Sequence, residues 1–339
     1  MRSAAFSIVL PTYNRSHIIG GTIRSVQAQT MPDWELIVVD DGSTDDTRAV
    51  VEKFGRVDRR VKLVSNAGRI GPAGTRNSGI RASQAEVIAF LDSDDSWDTG
   101  KLEAFLRACQ RNPDAVLIGS DYKMTDQTNR PTSTMKSFLF DTMLPWWETY
   151  APAAAVIPVD RIRGDIQVIS EQQILLSMAI AGFLWIHTSS VVVRRDAALT
   201  AGLFDERLKR TEDIDLWLKL NRLGPIVYLD EVLATYDISG RIHGSGIRYR
   251  SYHRSRRHSA YIEAAHHLHS LGRIAKNNPL NTDQLRLLKD RRIAQHRRCA
   301  VAALQERRWK GLAHVLACLA SKSERELLLT RPGTFFSFP

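Results

Sequence analysis

The stretch Trp34-Glu35-Leu36-Ile37-Val38-Val39-Asp40-Asp41-Gly42-Ser43-Thr44-Asp45 changes character in one step. A β-rich, nearly continuous apolar run stops at two aspartates and a glycine that permits a tight turn. The same abrupt stop follows Phe6–Leu10, Val61–Val64, Val87–Leu91 and Ala115–Ile118. Helical patterns separate these runs: Leu102, Phe105, Leu106 and Cys109 keep the spacing of one helix face. Such alternation predicts an α/β fold with a mostly parallel sheet covered by helices on both faces. In such sheets ligands bind beyond the carboxyl ends of the strands. The residues that follow each run therefore matter most.

Those residues are rich in carboxylates. Pro11-Thr12-Tyr13-Asn14 closes the first run, Asp40-Asp41 the second, and Asp92-Ser93-Asp94-Asp95 the fourth. The third leads through Asn66 into Gly71-Pro72-Ala73-Gly74-Thr75-Arg76-Asn77. Like charges this close raise one another's pKa, and a divalent cation removes that penalty. Hard oxygen ligands in an open turn suit Mg2+ or Mn2+, usually shared with substrate phosphates. A solvated, helix-capping acidic turn is the alternative for Asp92–Asp95. At Asp40-Asp41, Ser43, Thr44 or Asp45 would cap the next helix. That turn chemistry explains Asp40 and Asp41 poorly, and a carboxylate reading a nucleobase or ribose is the rival account.

Thr211-Glu212-Asp213-Ile214-Asp215-Leu216-Trp217 reads as a helix start, with Thr211 as N-cap and acids complementing the helix dipole. Arg241-Ile242-His243 is a loop with a cation and an imidazole. Trp146-Trp147 is either core or a sugar-stacking platform. The chain lacks both the Gly-x-Gly-x-x-Gly fingerprint after its first strand and the Gly-x-x-x-x-Gly-Lys phosphate loop, which argues against a nicotinamide enzyme and a P-loop ATPase. No nucleophile triad stands out.

The 339 residues, 43% hydrophobic and 25% charged, exclude a disordered or fibrous chain and allow two domains. Three widely spaced cysteines, Cys109, Cys299 and Cys318, support neither a disulfide framework nor a zinc site. The first apolar run is too short for a signal peptide. The longest apolar candidate, Ile174 to Ile186, falls short of the roughly 20 residues of a membrane span. These features predict a cytoplasmic protein, or one held peripherally at the inner face of the cell membrane. Charge divides the chain: residues 241–339 hold 20 Lys+Arg against 6 Asp+Glu, although the whole carries only +10. This predicts a domain over 1–240 followed by a basic, mainly helical region over 241–339. That region reads as a subdomain packed on the core, as a surface docking on anionic lipid, or as a nucleic-acid patch. No recognised nucleic-acid module accompanies it.

Taken in order, Leu10-Pro11-Thr12-Tyr13-Asn14, Val39-Asp40-Asp41-Gly42-Ser43-Thr44-Asp45, Thr75-Arg76-Asn77-Ser78-Gly79, Phe90-Leu91-Asp92-Ser93-Asp94-Asp95 and Thr211–Trp217 resemble the family-2 inverting glycosyltransferases. One departure is Gly100, where many relatives carry proline. The resemblance implies the GT-A fold, a Rossmann-like, mostly parallel sheet, with a C-terminal helical extension; residues 1–120 would be its nucleotide-sugar-binding half and 121–240 its acceptor-binding half. It implies a nucleoside-diphosphate sugar donor, UDP-linked by preference, a glycan or lipid-linked acceptor, and Mn2+ or Mg2+. Pro11, Tyr13 and Asp41 would hold the nucleoside, and Asn66 and Arg76 would line its pocket. Asp92, with Ser93, would face the ribose, and Asp94 the metal. Asp213 would be the general base. Arg241 would neutralise phosphate, and His243 would join Asp94 at the metal. A metal-dependent nucleotidyltransferase and a non-catalytic nucleotide-sugar or glycan binding module are the rival readings.

Overall fold

The computed structural model describes residues 4–125, 131–134, 167–169, 186–208, 211–237, 272–273 and 276. The chain divides into two compact units, Met1–Tyr252 and His253–Pro339. Trp146, Trp147, Arg241, His243 and nearly all of the basic segment lie outside the described residues, although residues 272, 273 and 276 are helical.

Each apolar run forms a strand: β1 (Phe6–Thr12), β2 (Trp34–Asp40), β3 (Val61–Ser65), β4 (Val87–Phe90) and β6 (Leu117–Thr125), with the short β5 (Ser96–Trp97) between the last two. Every residue of β1 and β2 is buried, as strands covered on both faces must be. Glu35 is tolerated there because its carboxylate accepts from the Ser7 hydroxyl at 2.5 Å and pairs with Lys62 at 2.7 Å. The remaining strands are β7 (Pro131–Thr134), β8 (Gln167–Ile169), β9 (Val191–Arg194) and β10 (Ile226–Asp237).

The sheet runs β3-β2-β1-β4-β9-β6-β10-β5, with β7 beside β6 and β8 beside β10. β1 pairs in parallel with β2 and β4, β2 with β3, and β6 with β10. The sequence predicts this parallel half. It does not predict β9, which lies antiparallel between β4 and β6. A four-residue apolar strand carries no mark of its neighbours' direction.

Helices α1 (Ile19–Gln27), α2 (Thr47–Val57), α3 (Pro72–Ala82), α4 (Lys101–Arg111), α5 (Arg195–Thr200) and α6 (Glu212–Asn221) connect the strands. α3 is buried from Ala73 to Ile80. A Cβ on Gly79 would sit 2.3 Å from Val9 Cγ1, so only glycine lets α3 lie this close to β1. Gly100 offers α4 no side-chain cap. The missing cap is replaced by Gln29, whose Oε1 accepts from Leu102 N–H at 3.0 Å while its Nε2 donates to the Asp98 carbonyl at 2.8 Å. On α4, Leu102 and Phe105 are buried and Leu106 and Cys109 half-buried.

Lys101, in the first turn of α4, is fully buried and its ammonium has no hydrogen-bond partner. It lies 5.1 Å and 4.7 Å from the ring centres of Trp97 and Phe105. Burial pushes its pKa down to about 7, against the opposing pull of Asp98 and Asp95.

Candidate active site

The loops after β1 and β2 are laced together at the carboxyl rim. Asn14, in a left-handed conformation (φ 51°), accepts from Thr44 N–H at 2.8 Å through Oδ1, and its own N–H donates to Ser43 Oγ at 3.0 Å. Pro11 is buried within β1, beside Val39, and Tyr13 follows it half-buried. Asp45, not a residue of α2 itself, accepts from the N–H and hydroxyl of Thr47 and from Ser16, which lower its pKa to about 2 against its partial burial.

Asp40 and Asp41 have separate tasks. Asp40 accepts from Ser43 N–H at 3.2 Å and pairs with Arg48 at 2.9 Å, so turn chemistry and an ion pair account for it after all. Asp41 is buried, accepting from Asn66 Nδ2 at 2.5 Å and from Gly71 N–H at 2.9 Å. Asp41 and Asn66 are thus brought together, and the pair shapes the loop from Asn66 to Gly71.

Asp92-Ser93-Asp94-Asp95 bends immediately after β4. Asp92 Oδ1 accepts from Arg76 at 2.7 Å and Oδ2 from Thr188 at 3.1 Å. Burial opposes its ionisation, but Arg76, His187 and Thr188 hold its pKa below the ordinary carboxylate value. Ser93 is buried, and its carbonyl accepts from Thr22. Asp94 faces Arg15 at 3.7 Å. Asp95 is buried, with its carboxylate oriented by the Ser189 hydroxyl and the Asp237 amide. His187 stands between half-buried Asp92 and buried Asp95, its Nε2 4.0 Å from the first and its Nδ1 3.6 Å from the second. The rings of Tyr236 and Tyr122 pack around it, 4.2 and 5.6 Å away between ring centres.

One ligand atom from each of Asp92, Asp95 and His187 falls within 4.8 Å of the others. Two carboxylate oxygens and an imidazole nitrogen are a fitting donor set for a divalent ion such as Mn2+. The hydroxyl and amide that orient Asp95 are the outer contacts such sites use. Asp94, expected at the metal, lies outside this trio, and His243 lies outside the described residues.

Arg76 is almost wholly buried on α3. Besides Asp92, it donates to Glu212 Oε1 at 2.8 Å. Burial works against its charge, but Asp92 and Glu212 raise its pKa above the ordinary arginine value. Both terminal nitrogens of Arg76 therefore serve protein carboxylates, Asp92 and Glu212. Glu212 opens α6, and Asp213 follows it, half-buried. Burial first, and the Glu212 carboxylate second, push the Asp213 pKa up to about 7. Thr211 is not the expected side-chain cap: it is left-handed (φ 58°) and makes no cap hydrogen bond. Its strained turn brings Glu212 round to Arg76.

The structure therefore gathers Asp92, Arg76 and Glu212, with Asp213 next in sequence, and seats Asp41 with Asn66 on the neighbouring loop. Sequence reasoning missed Glu212 as a partner and His187-Thr188-Ser189 entirely. The available signal was the small polar run ahead of the β-branched Val191-Val192-Val193. Among the described residues no helix is long and apolar enough to cross a membrane.

Comparison with known proteins agrees with this geometry. Residues 7–156 match the family model described as glycosyl transferase family 2. The chain is 42% identical over 114 residues to the UDP-Glc:alpha-D-GlcNAc-diphosphoundecaprenol beta-1,3-glucosyltransferase WfgD of Escherichia coli, covering 34% of this chain and 44% of that protein. It is 41% identical over 97 residues to a putative teichuronic acid biosynthesis glycosyltransferase, TuaG, of Bacillus subtilis, covering 29% and 38%. The chain thus spans less than half the length of these two relatives. Among solved structures, S. aureus TarS 1-349 superposes with a TM-score of 0.56 at 18% identity, covering 86% of this chain and 71% of that one. The mannosyltransferase PcManGT of Pyrobaculum calidifontis, in complex with GDP-Man and Mn2+, gives 0.54 at 15%, covering 96% and 84%. At these identities the superpositions speak for the fold alone, which is GT-A. The likeness to glycosyl transferase family 2 is thus carried by residues 7–156.

Proposed function

We propose that this protein is an inverting glycosyltransferase. It moves a hexosyl or N-acetylhexosaminyl group from a UDP-sugar to a hydroxyl of a lipid-linked or glycan acceptor, in the assembly of a bacterial surface polysaccharide or glycoconjugate. The observation that carries the proposal is Arg76 joining Asp92 to Glu212. That bridge sets the residue after Glu212, Asp213, beside the acidic loop, where a donor's diphosphate would lie.

In this reading the Asp213 carboxylate takes the proton of the acceptor hydroxyl. The oxygen attacks the anomeric carbon from the face opposite the diphosphate. The bond from that carbon to the diphosphate oxygen breaks, UDP leaves, and the anomeric centre inverts. A base must be partly ionised at neutral pH, and the raised pKa of Asp213 meets that requirement. Asp41, with Asn66 and the loop to Gly71, forms the nucleoside wall, flanked by Pro11 and Tyr13. Asp92, Asp95 and His187 would hold Mn2+ or Mg2+, which when bound neutralises the charge of the leaving diphosphate. Arg241 is assigned to the diphosphate.

The donor and acceptor classes rest on the relatives' names. WfgD is named for UDP-Glc and a diphosphoundecaprenol-linked sugar. A Campylobacter jejuni relative, 37% identical over 102 residues, is named for a PP-undecaprenol-linked glycan. TarS has been crystallised with UDP-GlcNAc. A lipid-linked acceptor also gives the basic segment from residue 241 a partner, the anionic membrane surface.

A thermal-shift series with UDP, GDP, UDP-Glc and UDP-GlcNAc, each with and without Mn2+, tests the donor. Incubation with the stabilising donor and an undecaprenyl-diphosphate-linked sugar tests transfer, with the product anomer read by NMR. A retained anomeric configuration would overturn the mechanism. Release of pyrophosphate from a nucleoside triphosphate would favour nucleotidyl transfer.

A further inference from the structure

Glu206 lies in the segment between α5 and α6, remote in sequence from the nucleoside wall, yet its carboxylate closes onto that wall. Its Oε2 accepts from Arg69 N–H at 2.9 Å and its Oε1 from Asn77 Nδ2 at 2.9 Å. Arg69 belongs to the loop that Asp41 grips at Asn66 and Gly71. Asn77, on α3, also clamps Phe204: it accepts from Phe204 N–H at 3.0 Å and donates to the Phe204 carbonyl at 2.9 Å. The Phe204 ring packs 5.5 Å from Phe90, just before the acidic loop, and 6.1 Å from Trp217 on α6.

The fit is close. A Cβ on Gly68 would lie 3.1 Å from Glu206 Oε1, and a Cβ on Gly74 would lie 2.0 Å from the Arg69 carbonyl. The loop therefore cannot shift without disturbing α3 or Glu206. Burial opposes the charge of Glu206, but Asn77 and the Arg69 amide keep its pKa below the ordinary value, with Arg81 4.0 Å away. The carboxylate thus stays ionised and able to accept from both sides at neutral pH.

We propose that Glu206 is a positioning residue that couples the nucleoside loop to the helix bearing the general base, so that donor binding at the loop also orders the segment leading into α6. The proposal rests on the functional reading above, which places the nucleoside against the loop from Asn66 to Gly71. Neither Arg69 N–H nor Asn77 Nδ2 can donate to an amide nitrogen, so Glu206→Gln removes one of the two bonds and keeps the shape. Such a coupling is a free energy and acts in both directions.

Hydrogen exchange of the full chain with UDP and Mn2+ tests it. In the wild type, UDP should slow exchange in peptides over 203–208 as well as over 66–71. In Glu206→Gln the loop should remain protected by UDP, while protection over 203–208 falls about tenfold. KM for the donor should rise by a similar factor, with a smaller change in kcat. A merely structural Glu206 would lower Tm and speed exchange equally with and without UDP. UDP binding with undiminished protection over 203–208 in the variant overturns the coupling alone. Failure of the wild type to bind any nucleoside diphosphate overturns the functional reading and the coupling with it.

Discussion

Arg76 and Glu212 are 136 positions apart and meet at 2.8 Å, with Arg76 almost wholly buried. The same guanidinium reaches Asp92 at 2.7 Å, so one cation on α3 sets the distance between the acidic loop and the first turn of α6. Removing one member of a buried ion network leaves the others uncompensated, at about 3–5 kcal/mol. Arg76→Ala should destabilise the protein by that order in urea denaturation. Arg76→Lys should cost less stability yet still impair transfer, because a single ammonium cannot serve both carboxylates in the fork geometry of a guanidinium.

Asp213→Asn should lower transfer by about 10²–10⁴-fold while leaving UDP affinity near that of the wild type, since a base acts in the transition state. Glu212→Gln should act differently, reducing stability through Arg76. Full activity in Asp213→Asn would move the search for a base to Glu212 or Asp215.

The raised pKa of Asp213 fixes two pH dependences. Transfer should rise with pH through about 7, as the carboxylate ionises. Stability runs the other way. The folded state binds this proton more tightly than the unfolded chain, where the pKa is near the ordinary 3.8. Its contribution is therefore complete below about 4 and lost as pH rises through about 7. Asp213→Asn should accordingly have a higher Tm than the wild type at pH 8, and the difference should close at pH 4.

Lys101→Met should raise Tm at neutral pH, because an amine with no hydrogen-bond partner is exchanged for an apolar side chain of similar length. The folded pKa of about 7 lies below the ordinary 10.5, so the wild type gains stability as pH rises between those values. The advantage of the variant should therefore shrink from pH 7 towards pH 10. A constant advantage would mean that the amine is not the source.

If the trio holds the ion, His187→Ala should weaken Mn2+-dependent UDP binding about tenfold or more, measured by calorimetry with an EDTA control. Asp94→Asn should do so less. The opposite order would return the metal to Asp94.

The parallel half of the sheet is legible in the sequence because a strand buried on both faces leaves a local mark, an apolar run that stops abruptly. The acids after β2 and β4 are legible for the same reason. What each acid does is not, because it depends on the partner the fold supplies: Asp40 has Arg48 just across a turn, but Asp92 has Thr188 and Asp95 has Ser189, both over ninety residues away. Asp40 and Asp41 look alike in sequence, yet one closes a turn and the other grips a loop. His187 carries no periodic signal at all, and it reaches the acids only because β9 lies beside β4.

The position of β9 also sets the order in which the molecule can be made. β4 and β6 both leave the ribosome with one hydrogen-bonding edge waiting for Val191–Arg194, about a hundred residues after β4. Until then both strands keep that edge open, and β6 also waits for β10 on its other edge, the kind of surface on which chains stick to one another. A fragment ending before Val191 would keep Asp41, Asn66 and the acidic loop in its sequence and still be an aggregation hazard. Expression of a shortened chain therefore calls for an end point beyond Asp237, where β10 has closed the second edge of β6.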